Sequence, residues 1–226
     1  MRLKEEINEN TMQQKLSREF FVRDGLIVAR ELLGKILVHE TSLGTVRGVI
    51  TEVESYMGIH DKGSHSYQGR RTERTEPMFH QGGTSYVYFT YGMYYCMNIA
   101  TGSEGDPQAV LIRSVVPADE VSGQRMLELR MQRVRQQLEK KGTPDIDNVL
   151  RKKEKAVWKN LADGPGKMCI AMEISKADND VDMINSETFY VTEGIPILPE
   201  EICKGKRIGI DYAQEAAEYL WRFDIS

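Results

Sequence analysis

Residues 85–100 read SYVYFTYGMYYCMNIA, and this aromatic run decides the fold. Five of the ten tyrosines of the chain lie between residues 86 and 95, and aromatic side chains favour β-strands. Gly92 interrupts the run, so we expect one strand before it and another after it. Side chains alternate along a strand, which puts Tyr86 and Tyr88 on one face. That face either packs into a core or, beside carboxylates, stacks on a nucleic-acid base.

Other strands are expected on both sides of the aromatic run. Residues 35–40 and 45–56 form a predicted hairpin around Gly44, and residues 108–115 follow the aromatic run as a further strand. Late strands are predicted at residues 189–191 and 207–211.

The helices are indicated by apolar periodicity and by caps. Apolar residues recur at spacings of 4, 3 and 4 from Leu127 to Leu138, which is typical of an amphipathic helix. Further helices are predicted at residues 24–33, where Asp24 is the N-cap, and at residues 148–161 and 167–174. The predicted strands follow one another in groups, and the helices do not alternate with them. The predicted fold class is therefore α+β, a single domain with a curved, mainly antiparallel sheet and surrounding helices.

The length and composition limit the classes of protein to which the chain can belong. A chain of 226 residues suits one domain, and we divide it into a flexible arm at residues 1–16 and a folded domain at residues 17–226. No apolar run approaches the roughly 20 residues that span a bilayer, and the polar N-terminus does not resemble a secretory signal. The three cysteines are far apart, which excludes a disulfide framework and a zinc site. We expect a cytoplasmic protein.

The charge is unevenly distributed. The net charge is -4, but residues 124–160 carry 11 basic and 5 acidic side chains, whereas residues 161–226 carry 6 basic and 13 acidic ones. The basic segment is either a solvated helix face or a surface that contacts a nucleic-acid backbone.

The segment TEVESY at residues 51–56 carries the chemistry. In a strand, Glu52, Glu54 and Tyr56 point to one face, beside the following loop. This arrangement fits a general base with a neighbouring aromatic ring, and it also fits the solvent-exposed polar face of a sheet. The spacing leaves both interpretations open.

Residues 57–83 have little periodicity and form a predicted long, ordered loop rich in histidine and arginine. Their spacing matches no common metal-ligand pattern, so no metal and no cofactor is predicted. Arg70 and Arg71 are candidates for contacts with DNA phosphates.

Several segments together resemble the alkyladenine (3-methyladenine) DNA glycosylase family. They are RELLGKILVHE (30–40), TEVESYMG (51–58), HS (65–66), MF (78–79), GTSYVYFTYGMYYCMNI (83–99), AVLIRSV (109–115), DGPGKMCIAM (163–172) and RIGIDYA (207–213). Their order and spacing agree with the family from about residue 17 onward. The segment at about 117–160 is longer and more basic than expected of the family, and no roles are transferred there.

The resemblance implies a base-excision-repair enzyme that flips a damaged purine out of duplex DNA and hydrolyses its N-glycosidic bond. Glu54 matches the family's catalytic carboxylate, which would activate the attacking water. Arg113 matches the arginine that helps to hold that water, and its charge should keep the carboxylate ionised. Leu111 is a weaker candidate for the floor of the same pocket.

The resemblance also assigns the pocket and the DNA contacts. Tyr56, His65 and Tyr88 match the aromatic walls that stack on an electron-poor base, and Asn98 matches the side chain that excludes the guanine amino group. Tyr91 matches the residue that fills the gap left by the flipped nucleotide. The backbone candidates in the glycine-rich turn before a helix are Gly164, Gly166 and Lys167.

No lysine occupies a catalytic position of the motif, so the implied enzyme is monofunctional and leaves an abasic site. Its expected partner is double-stranded DNA with a damaged purine, and it is expected to be a monomer without a membrane contact. It would be nucleoid-associated in a bacterium and nuclear in a eukaryote. The accepted lesions are alkylated purines, and deaminated and etheno purines stay open.

Two other functions compete with this one. A sugar hydrolase could use Glu52 and Glu54 as an acid–base pair, because alternate residues lie roughly 7 Å apart along a strand. A non-catalytic nucleic-acid-binding module would not need Glu54, Arg113 and Tyr91 together.

Overall fold

A computed structural model of the chain describes residues 14–225 and confirms the predicted α+β class. Its centre is an eight-stranded antiparallel sheet that curls into a half-barrel, with the order β3-β4-β5-β2-β1-β6 and with β8 pairing β2 and β7. The strands are β1 (Ile36–Thr41), β2 (Gly44–Tyr56), β3 (Ser85–Thr90), β4 (Tyr94–Thr101), β5 (Gln108–Pro117), β6 (Phe189–Thr192), β7 (Ile202–Gly205) and β8 (Arg222–Ile225).

The helices lie around the sheet; four of them overlap the predicted positions, and the short α1 was not predicted. They are α1 (Arg18–Phe21), α2 (Gly25–Leu32), α3 (Glu120–Lys140), α4 (Ile146–Lys159) and α5 (Pro165–Ala171). Asp24 caps α2 as predicted, because its carboxylate accepts the Leu26 amide at 2.9 Å and thereby satisfies one of the free N–H groups of the first turn. The helix α3 begins seven residues before the predicted periodic stretch.

The predicted hairpin and the predicted break in the aromatic run are both present. The strands β1 and β2 pair from Ile36 with Val49 to Thr41 with Gly44, and the aromatic run divides into β3 and β4 around Gly92. The longest strand, β2, has register shifts against β5 between Ile50 and Val53, and such irregularities bend a sheet.

The predicted strand at residues 207–211 is wrong. The Ile208 amide donates to a side-chain carboxylate on β2 at 2.8 Å instead of to a neighbouring strand, and Gly209 has a φ of +81°. The real strands of this region, β7 and β8, flank the segment on either side. A β-prone composition alone does not distinguish a strand from an extended segment whose backbone groups form hydrogen bonds with side chains.

The beginning of the described chain is packed against the sheet. Lys15 pairs with Thr192, and the buried Leu16 donates its amide to the Val191 carbonyl at 2.9 Å. Residues 1–13 of the predicted arm lie outside the described residues. Among the residues that are described, no helix has both the length and the hydropathy that crossing a membrane requires.

The buried side chains form several clusters, two of which differ in composition. The larger one contains aliphatic residues of the sheet and of α2, α3 and α5, with Leu32, Ile50 and Met97 fully buried. A smaller cluster joins Met78 and Phe79 of the loop 57–83 to Tyr86 of β3. The loop is therefore ordered, as predicted, and it covers one end of the aromatic strand.

A buried ion pair ties distant parts of the chain together. The Arg207 guanidinium donates to Asp61 at 2.8 Å and to the carbonyls of Ser55 at 3.0 Å and Ala216 at 3.1 Å. The carboxylate of Asp61 also accepts hydrogen bonds from the backbone amides of Met57 and Gly63. Both charged side chains are fully buried. The pair thus fixes the end of β2, the start of the loop 57–83 and the C-terminal segment in one arrangement.

We predict that Asp61→Ala lowers the free energy of unfolding by about 3–5 kcal/mol, because it leaves the Arg207 charge buried without its partner. Urea denaturation followed by circular dichroism measures this loss. Glu218→Ala is the matched control, since it breaks the exposed ion pair of the adjacent Lys206 and should leave stability almost unchanged. A loss below about 1 kcal/mol for Asp61→Ala would contradict this account.

Candidate active site

A cavity of about 450 Å³ opens at the concave side of the sheet, beside the aromatic strand. It collects residues from β2, β3, β4, β5, the loop 57–83 and the segment 207–212. The sequence-predicted residues that line it are Tyr56, His65, Tyr88, Tyr91, Asn98, Leu111 and Arg113. Residues up to 57 positions apart in the sequence thus line the same cavity.

Glu54 lies directly behind the cavity wall. Its side chain is 0% exposed, and its carboxylate is reached through three groups that themselves line the cavity. Oε1 accepts the Ile208 amide at 2.8 Å and lies 3.0 Å from Nη1 of Arg113. Oε2 accepts the Tyr56 hydroxyl at 2.8 Å. A buried carboxylate needs such donors, because its charge would otherwise be left without solvation.

The protonation of Glu54 reflects a competition between burial and these donors. Burial raises the pKa of the Glu54 carboxyl above its ordinary value. The Arg113 guanidinium opposes this rise most strongly, followed by the Ile208 amide and the Tyr56 hydroxyl. The sequence analysis named only the Arg113 charge, whereas the structure shows that burial is the larger effect. A carboxylate with a raised pKa is a stronger base.

Arg113 bridges the two carboxylates of β2. Its Nε donates to Oε1 of Glu52 at 3.1 Å, while its Nη1 contacts Glu54. Glu52 accepts a second guanidinium, that of Arg222, at 3.0 Å, and it does not line the cavity. The two carboxylates therefore share a face as predicted. Neither lines the cavity directly, but Glu54 contacts three residues that do, Tyr56, Arg113 and Ile208, whereas Glu52 contacts only one described residue that does, Arg113.

The aromatic walls contact one another closely. The rings of His65 and Tyr88 meet edge to face at 4.7 Å between centroids, and His65 Nδ1 lies 2.8 Å from the Tyr86 hydroxyl. Burial lowers the pKa of His65 to about 4, with smaller contributions from the Arg74 and Arg70 charges. His65 is therefore neutral at pH 7. Burial also raises the pKa of Tyr86 to about 12.

Arg74 is a cavity residue that the sequence analysis did not select among the arginines of the loop. Its guanidinium lies 4.9 Å from the centroid of the Tyr88 ring, within the range of a cation–π contact. The ring that was predicted to stack on a base thus already contacts a cation of the chain itself. Only the position of Arg74 in a loop rich in arginine indicated this role.

Asn98 and Leu111 form the floor of the cavity. Asn98 is buried and donates from Nδ2 to the Tyr86 carbonyl at 3.0 Å, which fixes the orientation of its amide. The strands β4 and β5 pair Asn98 with Leu111, so the two side chains lie next to each other. A rigid polar group at the floor can select a bound ring by its edge.

Tyr91 lies at the rim in a strained turn. The Met93 amide donates to the Thr90 carbonyl at 3.1 Å, and the two central residues, Tyr91 and Gly92, have φ values of +50° and +63°. Glycine tolerates this conformation, whereas tyrosine does so at a cost of about 1–2 kcal/mol. The Tyr91 side chain is 79% exposed. Strain that exposes a large aromatic residue indicates a functional position.

The other histidines of the loop 57–83, and the arginines of that loop that could bind phosphate, are not gathered at the cavity in the same way. His80 contacts Asp180 at 2.8 Å, far from His65, and within residues 14–225 no three His, Cys, Asp or Glu side chains gather into a metal-binding group. Arg71 donates twice to Glu76, at 2.8 and 2.6 Å. Arg70 is exposed in a second cavity next to His65.

The glycine-rich turn borders the cavity through Pro165. Gly164 has a φ of +101° as the N-cap of α5, and a side chain at Gly166 would approach Tyr94 to 2.9 Å. Gly164 is therefore required by the backbone conformation, and Gly166 is required by packing against Tyr94. Lys167 follows in the first turn of α5 and is partly exposed.

The sequence analysis assigned no role to Arg207, Ile208 or Asp61. The Arg207 guanidinium lies 4.8 Å from the Tyr56 ring and 4.9 Å from the Trp221 ring, so it supports Tyr56 from behind. The adjacent Ile208 supplies the amide to Glu54. The motif RIGIDYA marked this segment, but its misassignment as a strand concealed the contact.

Comparisons with known proteins agree over almost the whole chain. The family model described as methylpurine-DNA glycosylase matches residues 19–226. A protein of Clostridium acetobutylicum, named "Putative 3-methyladenine DNA glycosylase", is 46% identical over 211 residues, which are 93% of this chain and 94% of the relative.

Two further relatives carry the same name. The protein of Desulfitobacterium hafniense is 44% identical over 210 residues, covering 93% of this chain and 94% of the relative. That of Clostridium tetani is 43% identical over 211 residues, covering 93% and 95%. The chain therefore belongs to the methylpurine-DNA glycosylase family and is a DNA glycosylase.

Proposed function

We propose that the chain flips an alkylated purine from duplex DNA into the cavity and hydrolyses its N-glycosidic bond with a water molecule activated by Glu54. The observation that supports this most strongly is the fully buried carboxylate of Glu54, held by Arg113, Tyr56 and Ile208 at the wall of an aromatic cavity. The other proposed site residues follow from their places around it.

The water is held between Glu54 and Arg113. Glu54 removes its proton as the oxygen attacks the anomeric carbon, and the purine leaves with the electrons of the broken C–N bond. Cleavage of a bond at an anomeric carbon passes through an oxocarbenium-like state, which the nearby carboxylate also stabilises. No lysine lines the cavity among the described residues, so this chemistry is monofunctional and leaves an abasic site.

The cavity selects the base by its electronic character. Tyr56 and Tyr88 offer ring faces, and His65, with its lowered pKa, adds no positive charge at neutral pH. A cationic alkylated purine gains about 0.5–2 kcal/mol from such rings, which a normal purine does not gain. Asn98 disfavours unmodified guanine by contact with its amino group, and the cation–π gain of the charged 7-methylguanine ring offsets this penalty. Deaminated and etheno purines are neutral, and we include them as candidate substrates on the resemblance alone.

Tyr91 and the basic candidates act on the DNA itself. The exposed Tyr91 ring fills the space that the flipped nucleotide leaves and offsets part of the unstacking cost of a few kcal/mol. Lys167, the amides at Gly164 and Gly166, and the loop residues Arg70 and Arg71 are the candidate phosphate contacts. The enzyme has one such site, and we propose that it acts as a monomer.

The sugar-hydrolase alternative is disfavoured by the state of Glu52. This carboxylate is paired with both Arg113 and Arg222, and Arg113 is the one cavity-lining residue that it contacts among the described residues, whereas Glu54 contacts three.

We predict that Glu54→Gln lowers the single-turnover rate of excision by about 100- to 10,000-fold, which is the usual contribution of a general base. The rate is measured on duplexes that each carry one lesion, such as 7-methylguanine or hypoxanthine. Glu52→Gln is the matched control on the same strand and should lose less than about tenfold. Equal losses in both variants would favour the acid–base pair, and excision undiminished in Glu54→Gln would exclude the proposed role of Glu54.

We predict that Tyr56→Phe moves the acid limb of the pH–rate profile to higher pH. The Tyr56 hydroxyl stabilises the Glu54 carboxylate and so lowers its pKa against the effect of burial. Glu54 acts as a base only when deprotonated, so the rate rises with pH through its pKa, and losing the hydroxyl delays that rise.

The profile is measured by single-turnover excision of 7-methylguanine in wild type and variant. Tyr86→Phe is the control, because the Tyr86 hydroxyl contacts His65 and not Glu54. An acid limb that stays in place, or moves to lower pH, in Tyr56→Phe would be inconsistent with Glu54 as the base.

A further inference from the structure

The helices α3 and α4, with their connecting turn, form a hairpin that carries an excess of positive charge. Residues 120–160 hold 11 basic and 6 acidic side chains, which is +5, whereas the remaining residues hold 19 basic and 28 acidic ones, which is -9. We name residues 120–160 the basic hairpin. Its charge therefore has the opposite sign to that of the rest of the chain.

Folding does not account for these charges. The helix α4 buries only Leu150 and Val157, and it packs chiefly against α3. Arg151, Lys155 and Lys159 recur at every fourth residue, so they follow one another along one exposed face, with Lys152 beside them. Within residues 14–225, none of these four forms an ion pair. Like charges on one face repel one another and destabilise a helix.

The basic hairpin is joined to the rim of the cavity. Arg133 of α3 donates to the Met93 carbonyl at 3.4 Å, in the same turn that exposes Tyr91. At its other end, the chain after α4 passes through Asp163, which pairs with Ser114 next to Arg113, and reaches Pro165 on the cavity wall. The basic hairpin therefore adjoins the turn whose Tyr91 we propose to enter the duplex.

We infer that the exposed face of α4, formed by Arg151, Lys152, Lys155 and Lys159, binds the phosphate backbone of the duplex beside the lesion. The inference rests on the proposed function, because the position of the duplex follows from it. From Arg151 to Lys159 the face rises about 12 Å along α4, and duplex DNA presents a charge in each strand every 3.4 Å or so along its axis. The face is thus long enough to meet several phosphates, and it gives an acidic protein a local attraction for DNA.

The test is the salt dependence of DNA binding. In one variant all four residues are replaced by glutamine, and in the control the charges are kept by Arg151→Lys, Lys152→Arg, Lys155→Arg and Lys159→Arg. Fluorescence anisotropy with a labelled, undamaged duplex gives the Kd at several KCl concentrations. Circular dichroism confirms that both variants are folded.

Each lost phosphate contact lowers the slope of log Kd against log salt by about 0.9, so we expect the glutamine variant to lose about 3–4 units of slope and the control to keep the wild-type slope. A glutamine variant within about one unit of wild type would overturn the inference. The inference would also fail if the charge-keeping control lost as much slope as the glutamine variant. Undamaged DNA is bound without being cut, so an absence of excision by the wild type would contradict the proposed function alone.

Discussion

The carboxylate of Glu54 is the group on which the arrangement of the whole site depends. A charge removed from water costs several kcal/mol unless partners replace the lost hydration. Here the partners come from three parts of the chain: Tyr56 from the end of β2, Arg113 from β5 and the Ile208 amide from the C-terminal segment. The curl of the sheet, the buried Arg207–Asp61 pair and the path of the C-terminal segment all serve to bring these donors to one point.

The local features of the fold could be read from the sequence. Alternation along a strand placed Glu54 and Tyr56 on one face, and the glycine in the aromatic run separated β3 from β4, because both depend on neighbouring residues alone. The grouping of His65, Tyr88 and Arg113 around one cavity came from the family resemblance. Arg207 and Asp61 are 146 positions apart, and the Ile208 amide reaches a carboxylate 154 positions away. No local pattern encodes such contacts, so they escaped prediction.

The distribution of charge separates two tasks that a DNA glycosylase must combine. We propose that the cavity itself contacts an electron-poor base; its His65 is neutral at pH 7, while Arg74 lies against the Tyr88 ring that we assign to the base. We assign the attraction for the phosphate backbone to α4, where the basic side chains are exposed and none lines the cavity. A net charge of -4 is thus compatible with DNA binding because the sum hides a local excess of positive charge.

The central claim is that a damaged purine occupies the aromatic cavity with its anomeric carbon facing Glu54. The most direct measurement is a crystal structure of the wild-type protein with a duplex that carries 7-methylguanine on a 2′-fluoro sugar, which resists cleavage because fluorine destabilises an oxocarbenium-like state. The account predicts the purine against Tyr88 and His65, Tyr91 in the vacated stack, and a water molecule within hydrogen-bond distance of Glu54 and Arg113. A purine that remains stacked in the duplex, or one bound with its sugar turned away from Glu54, would contradict it.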